Sequence, residues 1–162
     1  MITLISDEYK SELFKKHTTD PDYGGEFGNW IQQVSSLINH THVDEILDYG
    51  SGTGGLGKHL VLDRKIQVHL YDPGIPDLDE APEPRQFVVC ISVLNCVEDE
   101  YIDNVLDDIK RCTIYGNFIA IEETEDKPME WWLPKIMERF SVQSLVRSDN
   151  QFYVISNSLK QT

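Results

Sequence analysis

Apolar positions change their spacing along the chain, and the changes mark out elements. Ser6 can cap a first helix over about residues 7–17, with Leu13 and Phe14 on one face. TTDPDYGGEFGN is turn-rich, with Pro21, Gly24 and Gly25 as breakers. Trp30, Val34, Leu37 and Ile38 then recur at i, i+4, i+7 and i+8, the spacing of an amphipathic helix. From residue 44 the rhythm shortens. DEILDYG reads as a strand, and residues 52–63 as a loop and helix carrying Leu56, Leu60 and Val61. IQVHLYD is a second strand, ended by Pro73, and RQFVVCIS a third, apolar throughout as in a parallel strand buried on both faces. DEYIDNVLDDIKR has an inner helical stripe of Ile102, Val105, Leu106 and Ile109, and TIYGNFIAIEE is a fourth strand. MEWWLPKIMERF is a helix with Pro134 near its start or at a kink. SVQSLVR and QFYVISN, joined by Ser148-Asp149-Asn150, predict an antiparallel hairpin. Strands alternating with helices predict an α/β, Rossmann-like, doubly wound sheet, mostly parallel, with an antiparallel C-terminal hairpin. Ligands of such sheets sit beyond the carboxyl ends of the strands.

Length and composition fit one domain spanning residues 1–162, with 1–27 as an N-terminal lid segment. No apolar run approaches the ~20 residues that span a bilayer, and MITLISDEYK meets charges too early for a signal peptide. The expected location is the cytoplasm. Cys90, Cys96 and Cys112 are odd in number and are read as buried free thiols. The net charge of −14 disfavours a nucleic-acid partner, because the basic pairs Lys15-Lys16, Arg64-Lys65 and Lys110-Arg111 are scattered. A small-molecule acceptor is the expected partner. Nothing in the chain selects the oligomeric state.

The chemistry-bearing stretch is GSGTGGLGKH, residues 50–59. Glycines there let backbone turn sharply and approach a ligand closely, but three nucleotide patterns overlap. Gly52, Gly57 and Lys58 approximate a P-loop, yet His59 stands where a magnesium-binding Ser or Thr belongs. Gly50, Gly52 and Gly55 fit a dinucleotide loop with Asp72 as ribose acid, but that pattern gives Asp48 no role. Asp48, Gly50, Gly52 and Gly54 spell DxGxGxG, which uses Asp48.

ILDYGSGTGGLGKHL resembles motif I of the class I S-adenosylmethionine-dependent methyltransferases, and VVCISVLNCVED resembles their fourth-strand segment. The layout is also similar to small methyltransferase-like proteins encoded by bacteriophages. The resemblance covers about residues 28–156. It implies that Asp48, Gly50, Ser51, Gly52 and Gly54 hold the amino acid end and ribose of S-adenosylmethionine (and of the product S-adenosylhomocysteine). It implies that Asp72, followed by Pro73, grips the ribose hydroxyls, with Ser92 and Val93 alongside. The implied activity is methyl transfer to a small molecule or exposed side chain by in-line displacement. The alternatives are a non-catalytic methyltransferase fold that binds cofactor or a partner, and a dinucleotide or ATP binder. Two departures stand out. Asn95-Cys96 replaces a frequent Glu-His. PGIPDLDEAPEPRQ, with its prolines and no helical period, replaces a helix and strand of the family, so the second strand is expected at the sheet edge with one face wet. Adenine then rests on the Asp77-Leu78 loop or beside Ser92.

In-line transfer from a sulfonium needs alignment more than acid–base groups. The candidate catalytic residues are His17 and Tyr23 from the lid and Glu122 from the fourth strand, with Tyr9 beside them. His17 reads otherwise as a solvated helix-end residue. Glu122, Glu123, Glu125 and Asp126 can attract an amine acceptor or form a solvated loop. Trp131 and Trp132 can wall a pocket or pack on the sheet. His40, His42, His59 and His69 read as structural or surface residues. No grouping has metal-ligand spacing, so no metal is expected.

Overall fold

A computed structural model describes residues 2–24 and 28–158. Gly25, the end of the 1–27 segment and residues 159–162 lie outside the described residues. Helices and strands alternate in the expected order. They are α1 (Asp7–Thr19), α2 (Ile31–Asn39), β1 (Glu45–Tyr49), α3 (Gly55–His59), β2 (Gln67–Tyr71), β3 (Arg85–Ile91), α4 (Ile102–Cys112), β4 (Thr113–Glu122), α5 (Met129–Met137), β5 (Phe140–Ser148) and β6 (Gln151–Ser158). The six strands form one sheet in the order β2-β1-β3-β4-β6-β5. The first four are parallel, and β6 pairs antiparallel with both β4 and β5.

Both faces of the sheet are covered, which is why its central strands carry continuous apolar runs. In β3, Val88 and Cys90 face α4 and α5 in a core that includes Leu106, Ile109, Trp132 and Ile136. Phe87 and Val89 face the other way, into a core with Trp30, Val34 and Ile38 of the α2 region and Leu56 of α3. The predicted stripe of α4 is buried along its whole length. Pro134 falls inside α5, and the helix is instead preceded by Pro128 at its N-cap. The helix after the glycine loop is shorter than expected, ending at His59. The chain leaves α3 at Leu60 in an extended conformation, and Val61 projects into solvent. The C-terminal hairpin turns on Asp149-Asn150, with Asp149 at φ 53°, a left-handed conformation that Asp tolerates better than most residues.

β2 pairs only with β1, so it is the sheet edge. Residues 72–84 contain neither helix nor strand, as the prolines and the missing helical period of this stretch predict. The wet face is less open than the alternation suggests, because His69 is half-buried and its Nε2 lies 3.1 Å from Glu45.

The cysteine reading needs one correction. Cys90 and Cys112 are buried, but Cys96 is exposed, because it ends a short 3-10 turn beyond β3 rather than lying in a strand. Ile109→Ala should cost about 2–5 kcal/mol, the range for a fully buried aliphatic side chain. Leu145→Ala on exposed β5 should change stability by less than about 1 kcal/mol. Urea unfolding of both variants checks this contrast.

Candidate functional site

A cavity of about 1190 Å³ opens at the carboxyl ends of the parallel strands. Its floor is the glycine loop. The loop is tied to β2, because Gly50 and Ser51 both donate backbone N–H to the Tyr71 carbonyl, at 2.8 and 2.9 Å. Gly50 and Gly52 have φ of 77° and 53°, which residues with a Cβ rarely adopt. A Cβ on Gly50 would come within 2.3 Å of Val93, so the β1 and β3 ends pack directly together there.

Asp72 is the hub of the floor. Its Oδ2 accepts the Gly52 N–H at 2.8 Å, and its Oδ1 accepts the Gly74 N–H at 2.8 Å. The carboxylate therefore fastens the β1 loop to the turn after β2 while remaining at the cavity wall. Asp48, one position before the end of β1, lies behind the loop rather than in the wall. It is buried, and its Oδ2 has no hydrogen-bond partner. Gly50, Ser51, Gly52, Asp72, Pro73, Ser92 and Val93 all line the cavity. Gly54 does not; its φ of 84° lets the chain pass Leu70, which a Cβ would meet at 2.8 Å. Ser92 has φ 55°, a strained conformation of the kind that concentrates at ligand sites. Ser92 lines the cavity, whereas Asp77 and Leu78 do not.

The roof comes from the N-terminal segment. Ser6 caps α1 through Tyr9 N–H, and its own N–H and hydroxyl donate to Glu98 at 2.8 and 2.6 Å. Lys10 pairs with Asp79, and the Thr3 carbonyl accepts from Asn104. A Cβ on Gly74 would meet Leu13 at 2.5 Å, so the helix lies directly on the turn after Asp72. No side chain of α1 is fully buried, and Phe14 is exposed. The helix is thus held by polar contacts of Ser6 and Lys10 and by the apolar contact of Leu13.

His17 is the largest departure from expectation. It is not a solvated helix-end residue: its side chain is 9% exposed, and Nε2 lies 4.0 Å from Asp72 Oδ2. α1 runs on to Thr19, and its last turn lies over the glycine loop instead of facing water. Tyr23 packs edge-on against the His17 ring, with centroids 5.0 Å apart. Glu122, at the end of β4, also lines the cavity. Its Oε1 accepts from Asn150 at 3.3 Å.

Other candidates separate from the site. Glu123 accepts two hydrogen bonds from Arg147 and one from the Met129 N–H, which hold its carboxyl below the usual range against the opposing effect of burial. Glu125 and Asp126 are exposed on the loop beyond it. Trp132 is fully buried against the sheet, with Nε1 donating to the Lys127 carbonyl, and Trp131 lies between Lys127 and Lys135. Neither tryptophan lines the cavity. His40 and His42 are exposed on the far side of β1. Asn95, which departs from the motif, is a wall residue. Its Oδ1 is buried without a partner. Glu98 was not foreseen, because its partner Ser6 is 92 residues away. Among the described residues no cluster of His, Cys, Asp and Glu has the arrangement of a metal site, and no helix is long and apolar enough to cross a membrane.

No protein-family model and no curated protein matches the sequence. Solved structures do match the fold. The Burkholderia thailandensis 1,6-didemethyltoxoflavin-N1-methyltransferase, solved with S-adenosylhomocysteine, aligns at TM-score 0.64 and 12% identity over 99% of this chain and 94% of its own. A SAM-dependent methyltransferase from Aquifex aeolicus aligns at 0.62 and 16% over 93% and 98%. The 16S rRNA methylase ArmA aligns at 0.60 and 15% over 93% and 98%. The chain therefore has the class I methyltransferase fold.

Asp48 gives this fold a pH signature. Burial, with a smaller contribution from Asp72, pushes its pKa up to about 7 from an ordinary value of 3.8. Between those values the folded chain keeps a proton that the unfolded chain has lost. This group's contribution to stability therefore falls as pH rises through the window and levels off above about 7. Thermal unfolding of the ligand-free protein at pH 5 and pH 8 should show Asp48→Asn losing less stability than the wild type and exceeding it at pH 8. An unaltered pH dependence in the variant would show that Asp48 ionises normally.

Proposed function

We propose that the chain is an S-adenosylmethionine-dependent methyltransferase acting on a small molecule or an exposed side-chain group. The observation that carries this reading is the joint between Asp72 and the glycine loop. The carboxylate oxygens keep lone pairs for ribose hydroxyls after accepting their backbone N–H groups. Beside them, Gly50 and Gly52 present bare backbone at φ values that favour glycine. Asp48 lies beneath with an unpartnered oxygen, and Glu122 stands at the far wall. These acids favour a ligand bearing sulfonium and ammonium charges. Pro73, Ser92 and Val93 supply the neighbouring wall, and of the two expected adenine positions the one beside Ser92 adjoins the cavity. The cavity is as large as the roomier small-ligand sites, which reach about 1,000 Å³.

When bound, S-adenosylmethionine supplies a methyl group already activated by its sulfonium. The chain's part is to hold, orient and exclude water. The glycine loop and Asp72 fix one end of the ligand, α1 covers it, and the acceptor comes from the side of Tyr9, Asn95 and Glu122. Alignment of this kind is worth up to ~7–11 kcal/mol. The net charge of −14 opposes a polyanionic acceptor.

A second reading, a methyltransferase fold kept for binding alone, draws support from the acceptor side. The Tyr9 hydroxyl is pushed well above its ordinary range, first by burial and then by Cys96 and Tyr23, so it keeps its proton and is not available to take one from an acceptor. Asn95 offers an amide in place of an acid. Turnover of labelled cofactor against host-cell extract separates the two, since labelled product appears only under the first.

Calorimetry with S-adenosylhomocysteine, NAD and ATP tests the ligand. Micromolar binding of the first alone is expected, and preference for NAD or ATP would refute the reading. Asp72→Asn should weaken binding by about 1.5–3 kcal/mol, the range for a hydrogen bond to a charged group. An unchanged dissociation constant would remove Asp72 from the site.

A further inference from the structure

We propose that His17 is a ribose-binding residue. His17 Nε2 and Asp72 Oδ2 would form the two sides of a clamp that takes one sugar hydroxyl between them. The inference rests on the cofactor reading above and adds to it a residue from outside the sheet. The distance between the two atoms, 4.0 Å, carries the argument. It is too long for a direct hydrogen bond, which ends near 3.5 Å. It is also shorter than two hydrogen bonds laid end to end, roughly 5.6 Å. One oxygen bonded to both atoms at about 2.8 Å closes the gap with an angle near 90° at that oxygen. A gap of this length between polar groups suits one bridging atom.

The chemistry of the two groups selects a hydroxyl. Asp72 Oδ2 already accepts from Gly52 N–H, and a carboxylate oxygen has a second lone pair to offer. The inserted group must donate to that oxygen and accept from the imidazole N–H. A hydroxyl does both, whereas an ammonium has no lone pair with which to accept.

His17 is held close to Asp72 without a direct hydrogen bond to it. Its side chain is 9% exposed, and its Nε2 stops 4.0 Å from the carboxylate. The ring is positioned by packing, with Tyr23 on one side and Gly52 beneath, where an added Cβ would lie 3.7 Å from Cε1. It therefore stands over the Gly52–Asp72 joint, on the cofactor side of the cavity, and not where it would serve as a base for the acceptor. His17 sits at the end of α1, a helix with no fully buried side chain. A ligand hydroxyl bridging to Asp72 would add a contact between this cover and the sheet.

The test is calorimetric and needs no acceptor. The probes are S-adenosylhomocysteine, 5′-methylthioadenosine and the 2′-deoxy and 3′-deoxy forms of the latter. The wild type is expected to bind S-adenosylhomocysteine and to lose affinity for at least one deoxy form. His17→Ala should bind S-adenosylhomocysteine about tenfold more weakly and should discriminate less between the ribose and deoxy forms. His17→Gln, which keeps a donor, should recover part of the loss. Equal affinities of wild type and His17→Ala, or equal deoxy penalties in both, would overturn the clamp while leaving the cofactor reading intact. A wild type that binds none of these probes would overturn both. Nitrogen-15 spectra of the wild-type imidazoles during titration with S-adenosylhomocysteine answer the same question if the alanine variant does not fold. The His17 ring nitrogens should shift on saturation, and an unmoved His17 signal in the bound protein would sink the clamp.

Discussion

The carboxylate of Asp72 holds the ligand edge of this molecule together. Each of its oxygens takes one backbone N–H, from Gly52 and from Gly74. Those two bonds fix the β1 loop against the turn after β2. The same loop is bound to β2 by Gly50 and Ser51 on the Tyr71 carbonyl. The loop adopts left-handed conformations that glycine accepts at little steric cost. Buried charge-assisted hydrogen bonds of this kind are among the stronger ones available to a protein. They also leave the carboxylate at the cavity wall with capacity to spare. Scaffold and candidate ligand site thus share one functional group.

A second consequence follows at Asp48. Burial first, and the neighbouring Asp72 second, push the Asp48 carboxyl well above its ordinary range. This matches the general tendency of functional sites to collect perturbed acids.

Most of the fold was legible because its signals are local. Ser6 capping a helix, the apolar stripe of α4, the unbroken run of β3 and the hairpin all depend on neighbours within a few residues. The edge position of β2 was legible from prolines where a helix would have been. The candidate site was legible only in part. The glycine spacing pointed to the loop and to Asp72, but nothing local reveals that Gly54 packs on Leu70 or that Asp48 lies behind the wall. The cover was the least legible. Its contacts join residues far apart in sequence, as in Ser6 with Glu98 and Leu13 with Gly74. Hence His17 read as a solvated helix end, although tertiary packing leaves its side chain only 9% exposed. The tryptophan pair stayed open between the two readings for a related reason, since aromatic residues look alike in sequence whether they wall a pocket or fill a core.

The account as a whole rests on what occupies the space above the Gly52–Asp72 joint. A crystal structure grown with S-adenosylhomocysteine tests this most directly. The account predicts density over the glycine loop, with the ribose hydroxyls on Asp72. Density elsewhere on the molecule, or a crystal saturated with ligand whose loop cavity stays empty, would contradict it.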